Sequence, residues 1–253
     1  MSGTLRIVGL GPGPDCWVTP EVTAAVATAT DLIGYAPYLA RLTTRVGQVV
    51  HGSDNRVELD RARHALMLTA QGRKVVVVSG GDPGIFAMAA AVLEAVDAGD
   101  PAWRALDITV CPGVSAMQAA AARLGAPLGH DFCAISLSDN LKPWPLVAKR
   151  LRAAVEGDFV IALYNPASKA RPDQIFEAFA ILRAMKAGAT PVAFARAIGR
   201  PDEAIVITTL AEADPAVVDM STLVMIGSSE TKLILRPGAP PFVYTPRGVG
   251  GVR

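Results

Sequence analysis

The chain has 253 residues, of which 51% are hydrophobic and 19% charged; that is a globular composition, long enough for one large domain or two ordinary ones and too apolar for disorder. A formal net charge of +1 supplies no bulk attraction for nucleic acid, so an acidic ligand would have to be met by local arginines and lysines. There is no apolar run of roughly 18 residues and no basic-then-apolar leader before Leu5, so neither a membrane span nor a secretory leader is expected. Cys16, Cys111 and Cys133 are odd in number and far apart, which suits reduced thiols in the cytoplasm, and His51, His64 and His130 do not join them in ligand spacing, so no metal site is expected.

The first predicted element is an apolar strand from Leu5 that breaks into Gly9-Leu-Gly-Pro-Gly13. A strand running into glycines begins many dinucleotide sites, yet Pro14 stands where the third glycine of that fingerprint belongs, and Pro12 removes an amide that a pyrophosphate would need. The next strand, Asp31 to Gly34, has its acid at the start and ends in glycine, so it lacks the ribose-binding carboxylate. An NAD-linked oxidoreductase is therefore disfavoured. Thr19-Pro20-Glu21 reads as an N-cap with proline at the first helical position, opening a short helix from Val22 to Thr30. Tyr35 to Leu39 is irregular or helical, Gln48 to His51 a strand, and Gly52 to Arg56 a polar loop. Glu58 to Gln71 carries Leu59, Ala62, Leu66 and Ala70 at helical spacing, closed by Gly72. Lys74 to Val78 is a continuous β-branched run, hence a strand covered on both faces. After Ser79 to Gly84 comes an apolar helix, Ile85 to Ala98, whose Phe86, Met88, Val92 and Leu93 are read as core. Leu106 to Val110 is a strand, Cys111-Pro-Gly a break, and Val114 to Leu124 an alanine-rich helix.

Gly125 to His130 has the composition of a linker, which places a domain boundary at 126, giving domains 1–126 and 127–253. Strands are then expected at Phe132 to Leu137, Phe159 to Tyr164, Pro191 to Ala197, Ala204 to Thr208 and Thr222 to Ile226, with another at Leu233 to Leu235. Helices are expected at Pro145 to Val155 and Pro172 to Ala187, and Gly248 to Arg253 as a frayed tail. The fold class is α/β, with a mostly parallel first sheet and a mixed second one.

Three strands of the first half end in small-residue turns: Gly9 to Gly13, Gly80 to Gly84 and Pro112 to Ser115. In open α/β sheets ligands gather beyond the carboxyl ends of strands, so these turns are expected to converge on one site. Val8-Gly-Leu-Gly-Pro-Gly13 with Thr19, Gly80-Gly-Asp-Pro-Gly-Ile-Phe86, Pro112-Gly-Val-Ser-Ala116 and Leu163-Tyr-Asn-Pro166 occur in the order found in tetrapyrrole (corrin/porphyrin) methyltransferases, and from Ile7 to about Ser228 the chain resembles that family. Gly34-Tyr-Ala-Pro-Tyr-Leu39, Ser53-Asp-Asn-Arg56 and Tyr164 to Arg171 resemble the branch that methylates C17 of precorrin-3B and contracts the ring. Ala36 stands where the sirohaem-type branch has an aspartate, which argues against uroporphyrinogen.

The resemblance implies two αβα domains with a cofactor cleft between them, a homodimer, and S-adenosyl-L-methionine as methyl donor, leaving as S-adenosyl-L-homocysteine. It assigns to the cofactor Gly11, Pro12, Gly80, Gly81, Asp82, Ile85, Ser115, Ala116, Asn165 and, across a gap in the match, Ala197. Tyr35, Arg56, Lys169 and Arg171 are the expected substrate contacts, and Arg41 and Arg196 lie near the same loops as candidate forks for the carboxylates of a tetrapyrrole. In-line methyl transfer to an enamine-like carbon needs alignment more than a strong base. Ring contraction moves protons, for which His51, Asp54 and Asp82 are the candidates. Beside each stands a plainer role: a bonded strand-end histidine, a loop-capping aspartate, a turn. The alternatives are the cobalt-bearing substrate of the oxygen-independent route, another precorrin position, or a tetrapyrrole carrier that transfers no methyl.

Overall fold

The computed structural model describes residues 3–54, 57–168 and 170–248. The chain folds as two compact units, Met1–Ala116 and Met117–Arg253. Gly125–Ala126, at the start of the predicted linker, pair as a short strand with the last strand of the second unit.

The first unit runs β1 (Thr4–Gly9), α1 (Pro20–Thr28), β2 (Asp31–Tyr35), α2 (Ala36–Leu39), β3 (Val49–Ser53), α3 (Glu58–Ala70), β4 (Lys74–Ser79), α4 (Met88–Ala98) and β5 (Asp107–Cys111). The strands form one sheet in the order β3-β2-β4-β1-β5, and every pairing is parallel. The unbroken Val75–Val78 run is explained by two cores. Val75 and Val77 join Leu5, Ile7 and Ile33 under α3 and α4, while Val76 and Val78 join Val8, Leu10 and Leu32 under α1 and α2. Thr19 caps α1 as its sequence predicts, its Oγ1 accepting the amide of Val22 at 3.3 Å.

α4 starts three residues later than the apolar pattern suggests, because Phe86 takes a left-handed backbone (φ 51°) and interrupts the chain before Met88. The reading of its stripe as core holds for Met88 and Val92 and fails for Phe86 and Leu93, which are 50% and 54% exposed. Phe86 lies outside the helix, so helical spacing says nothing about its side chain, and Leu93 follows Val92 directly and so turns about 100° away from the buried face.

The second unit begins inside α5 (Ala116–Leu124) and goes on with β6 (Gly125–Ala126), β7 (Phe132–Ser136), α6 (Trp144–Glu156), β8 (Val160–Tyr164), α7 (Gln174–Met185), β9 (Pro191–Arg196), β10 (Ala204–Thr209), β11 (Thr222–Ile226), β12 (Lys232–Arg236) and β13 (Ala239–Tyr244). Its main sheet has the order β10-β9-β11-β8-β7; β7 and β8 are parallel, and β11 runs antiparallel to β8 and β9, so the sheet is mixed as expected. One face is covered by α6 and α7 through Leu151, Phe179 and Leu182. A third sheet, β12-β13-β6, is an addition to the predicted architecture. Ala239-Pro-Pro opens β13 at a sequence that reads as a turn, and Pro-rich starts are tolerated only where a strand leaves amides unpaired. Among the described residues no helix is long and apolar enough to cross a membrane.

Candidate active site

In the first unit β4, β1 and β5 are neighbours and parallel, so the turns that follow them lie side by side at one edge of the sheet. The turns are tied by their backbones. Leu10 donates to the Ser79 carbonyl at 3.0 Å and Gly11 to the Gly81 carbonyl at 3.2 Å. A Cβ on Gly9 would fall 2.4 Å from the Gly81 oxygen and 2.7 Å from Pro83 Cδ; one on Gly113 would fall 2.5 Å from the same Gly81 oxygen and 2.7 Å from that of Gly9. All three turns therefore meet around one carbonyl, at a spacing that only glycine permits. Gly11 and Gly81 both have φ near +66°, the left-handed region open to glycine.

Asp82 fastens the second turn to the third. Its Oδ1 accepts the amide of Gly84 at 2.8 Å and its Oδ2 that of Gly113 at 3.0 Å. Ser79 Oγ accepts the amide of Met88 at 3.3 Å and so anchors the far end of the same turn. The Tyr38 ring lies against Gly80, where a Cβ would approach its Cζ to 2.7 Å, and Tyr35 meets Tyr38 edge-on with centroids 5.4 Å apart. Gly11, Pro12, Gly80, Gly81, Asp82, Ile85 and Ser115 thus belong to three adjoining turns, with Ser115 fully buried, and Ala116 opens α5 directly after the third. Arg41 is placed differently from its expectation as a carboxylate fork: its guanidinium donates to the carbonyls of Leu10, Gly11 and Gly13.

His51 stands apart from these turns. Its Nε2 lies 2.9 Å from Oδ1 of Asp31, the first residue of β2, and its ring meets His64 edge-on at 4.8 Å. Burial alone would raise the Asp31 carboxyl, but hydrogen bonds from Arg73, Thr30 and His51 outweigh it and hold the group below the ordinary carboxylate range. Burial, reinforced by His51, pushes His64 down. Asp54 is exposed just beyond β3 and gives its carbonyl to the buried Arg61 at 2.8 Å. Among the described residues no group of three His, Cys, Asp or Glu side chains could hold a metal ion.

At the corresponding edge of the second sheet, Asn165 follows β8 and Ala197 follows β9, each with φ near 50°. For Ala this is a strained conformation, of the kind that concentrates at ligand sites. Asn165 is locked by donating Nδ2 to Ser136 Oγ at 3.0 Å, and the amide of Ala197 donates to the Ser221 carbonyl at 2.9 Å. Arg196 is clasped by Asp219 at 2.9 Å and Asp202 at 3.0 Å. Arg171 is only 8% exposed; its Nε lies 3.9 Å from Asp139, and among the described residues its Nη1 has no hydrogen-bond partner, nor do the nearby buried Ser168 Oγ and Gln174 Oε1. A cavity of about 470 Å³ opens beside this stretch, lined by Ser168, Pro172, Phe176, Val218 and Met220 among others. The expected substrate contacts Arg56 and Lys169 lie outside the described residues.

A sequence profile of the tetrapyrrole (corrin/porphyrin) methylases matches residues 4–214, a span that holds every turn described above. The chain belongs to this family. It is 58% identical over 251 residues to a precorrin-3B C(17)-methyltransferase of Sinorhizobium sp., covering 99% of each chain. The crystal structure of the methyltransferase CobJ matches with a TM-score of 0.92 at 53% identity, over 97% of this chain and 100% of that one. A uroporphyrin-III C-methyl transferase from Thermus thermophilus, complexed with S-adenosyl homocysteine, shares the fold with a TM-score of 0.68 at 22% identity over 89% of this chain and 97% of its own.

Two parts of the site escaped the sequence. The Arg41 grip joins segments roughly thirty residues apart and leaves no periodic trace. The Ser136 contact to Asn165 depends on β7 and β8 being neighbours, a fact of the sheet and not of either strand.

Proposed function

We propose that the protein methylates precorrin-3B at C17, with ring contraction, in cobalamin biosynthesis, using S-adenosyl-L-methionine and releasing S-adenosyl-L-homocysteine. The observation that carries this reading is the 58% identity to the Sinorhizobium precorrin-3B C(17)-methyltransferase across 99% of both chains. The glycine turns suit such a donor. In the first turn the amides of Leu10 and Gly11 are already bonded, and Pro12 and Pro14 have none, so only Gly13 offers an N–H and no phosphate could be cradled. A donor without phosphates loses nothing there. When bound, it supplies an electrophilic methyl group on a sulfonium.

The residues of the chain then act by placement. Gly9 and Gly113 keep the three turns of the first unit in contact and Asp82 fixes the second against the third, while in the second unit Asn165 and Ala197 are each held in one backbone conformation. Alignment of carbon, methyl and sulfur is the main demand of in-line transfer. For the protons of ring contraction, Asp82 has amides on both oxygens and His51 is turned to Asp31; Asp54, exposed at the carboxyl end of β3, is the candidate with a surface to offer. Arg171 brings a guanidinium N–H with no partner among the described residues, suited to a carboxylate arm of the macrocycle, and Tyr35 is the candidate aromatic contact. The reading includes a homodimer in the cytoplasm; sedimentation as a single 26.3 kDa species would remove the dimer.

Incubation with donor and either metal-free precorrin-3B or its cobalt-loaded counterpart tests the assignment by product mass. A gain of one methyl on the metal-free substrate is the expected result. Turnover of the cobalt form alone would transfer the assignment to the oxygen-independent route, and binding of the ring without any methylated product would make the protein a carrier.

A further inference from the structure

Arg41 follows α2, and its side chain reaches back some thirty residues to the first glycine turn. Nη1 donates to the Gly11 carbonyl at 2.8 Å, and Nη2 donates to those of Leu10 at 2.9 Å and Gly13 at 2.7 Å. Both protons of Nη2 are therefore directed into the turn, and the parallel pair of N–H bonds that a carboxylate would take from the Nε–Nη2 edge is not on offer. Nor is the contact incidental to a charged surface, since three carbonyls of one turn converge on one planar group.

The turn needs such a hold. Leu10 packs into the core under α1 and α2, but Gly9, Gly11 and Gly13 bring no side chain to pack, Gly11 is left-handed, and two prolines deprive the segment of amides. Glycine loses more freedom on ordering than any other residue, so a run of them stays fixed only if tertiary bonds fix it. Those from the second turn fall at Leu10 and Gly11 and leave the carbonyls of Leu10 and Gly13 to other donors. Arg41 acts on the carbonyls. The segment that carries it also braces the second turn, because Tyr38 packs on Gly80 and its carbonyl accepts the Arg41 amide at 3.1 Å.

We propose that Arg41 is the positioning residue of the methyl-donor site: by gripping the carbonyls of Leu10, Gly11 and Gly13 it holds the first glycine turn, and with it Pro12, in the shape that receives the donor. This rests on the assignment of that turn to the donor. A planar five-donor guanidinium meets three carbonyls where a lysine ammonium meets fewer, so Arg41→Lys is not a conservative change here.

The test is titration with S-adenosylhomocysteine and steady-state kinetics on the wild type, Arg41→Lys, Arg41→Ala and, as control, Arg45→Ala, whose guanidinium lies on the Ala27 carbonyl away from the turn. Arg41→Lys and Arg41→Ala are expected to weaken S-adenosylhomocysteine and raise the donor KM by about tenfold or more, the effect of losing one or two charge-assisted hydrogen bonds, with the tetrapyrrole KM unchanged. Millimolar guanidinium ion should restore part of the loss in Arg41→Ala, which a general loss of folding would not allow. Arg45→Ala should match the wild type. Wild-type affinity in both Arg41 variants, a rise in the tetrapyrrole KM in place of the donor KM, or an equal loss in Arg45→Ala would overturn the proposal. Absence of binding by the wild type would instead overturn the donor assignment itself.

Discussion

The carboxyl edges of the two main sheets are built in opposite ways. The first is made of backbone: glycines that admit no Cβ, amides and carbonyls bonded across turns, and an aspartate whose two oxygens each take an amide. The second is made of side chains and strain: Asn165 and Ala197 in the left-handed region without being glycine, and Arg171 Nη1, Ser168 Oγ and Gln174 Oε1 as buried polar atoms unmatched among the described residues. A backbone surface bonded across its turns before any ligand arrives suits a ligand that every member of a family must accept. An edge with unmatched buried polar atoms is costly to the folded chain until something meets them, so it suits a substrate-specific contact. On the proposed reading the first edge is the donor's, and the unmatched polar atoms of the second, Arg171 foremost, bear on the tetrapyrrole.

Four substitutions separate these accounts, in falling order of effect. Gly113→Ala forces a Cβ against two backbone oxygens that cannot rotate aside; it should cost about 3 kcal/mol in urea unfolding and reduce S-adenosylhomocysteine affinity by on the order of a hundredfold. Near-wild-type behaviour would mean that the first edge is looser than its spacing implies. Asp31→Asn, at the opposite end of the same sheet, should cost about 2 kcal/mol and leave donor affinity alone. Because Asp31 titrates lower when folded than when unfolded, its contribution is present above the ordinary carboxylate pKa of about 4 and disappears as pH falls through its lower folded value. The wild type should accordingly lose more stability than Asp31→Asn on acidification below about pH 4, read from parallel urea melts.

Arg171→Met removes a buried, incompletely bonded guanidinium while keeping its bulk. Stability should change by less than about 1 kcal/mol, or improve, whereas the tetrapyrrole KM should rise about tenfold. A large stability loss with unchanged KM would make Arg171 a structural residue. The smallest effect is expected from Ala197→Gly, which relieves a left-handed alanine and should raise stability by roughly 1 kcal/mol in the same melts. A loss would show that the Ala197 methyl is worth more in packing than the strain costs.

Much of the first edge was legible beforehand, because strands that end in Gly-Pro, Gly-Gly-Asp and Pro-Gly announce themselves through residue type. The Thr19-Pro20 cap and the doubly buried valine run follow from local rules in the same way. What was not legible depends on residues meeting across the sheet. The grip of Arg41, the turning of His51 toward Asp31 and the third sheet all join segments whose separate sequences look ordinary. Phe86 illustrates the limit from the other side: a fitting residue type at fitting spacing lay outside the helix because its own backbone turned left-handed.

The most direct test of the account is calorimetric titration of S-adenosylhomocysteine into the wild type and Asp82→Ala. The wild type should bind about one molecule per chain. In Asp82→Ala, where the link from the second turn to the third is cut without opening the core, affinity should fall about tenfold with the melting transition little changed. No heat with the wild type, or an affinity that survives the loss of Asp82 unchanged, would contradict the assignment of these turns to the methyl donor.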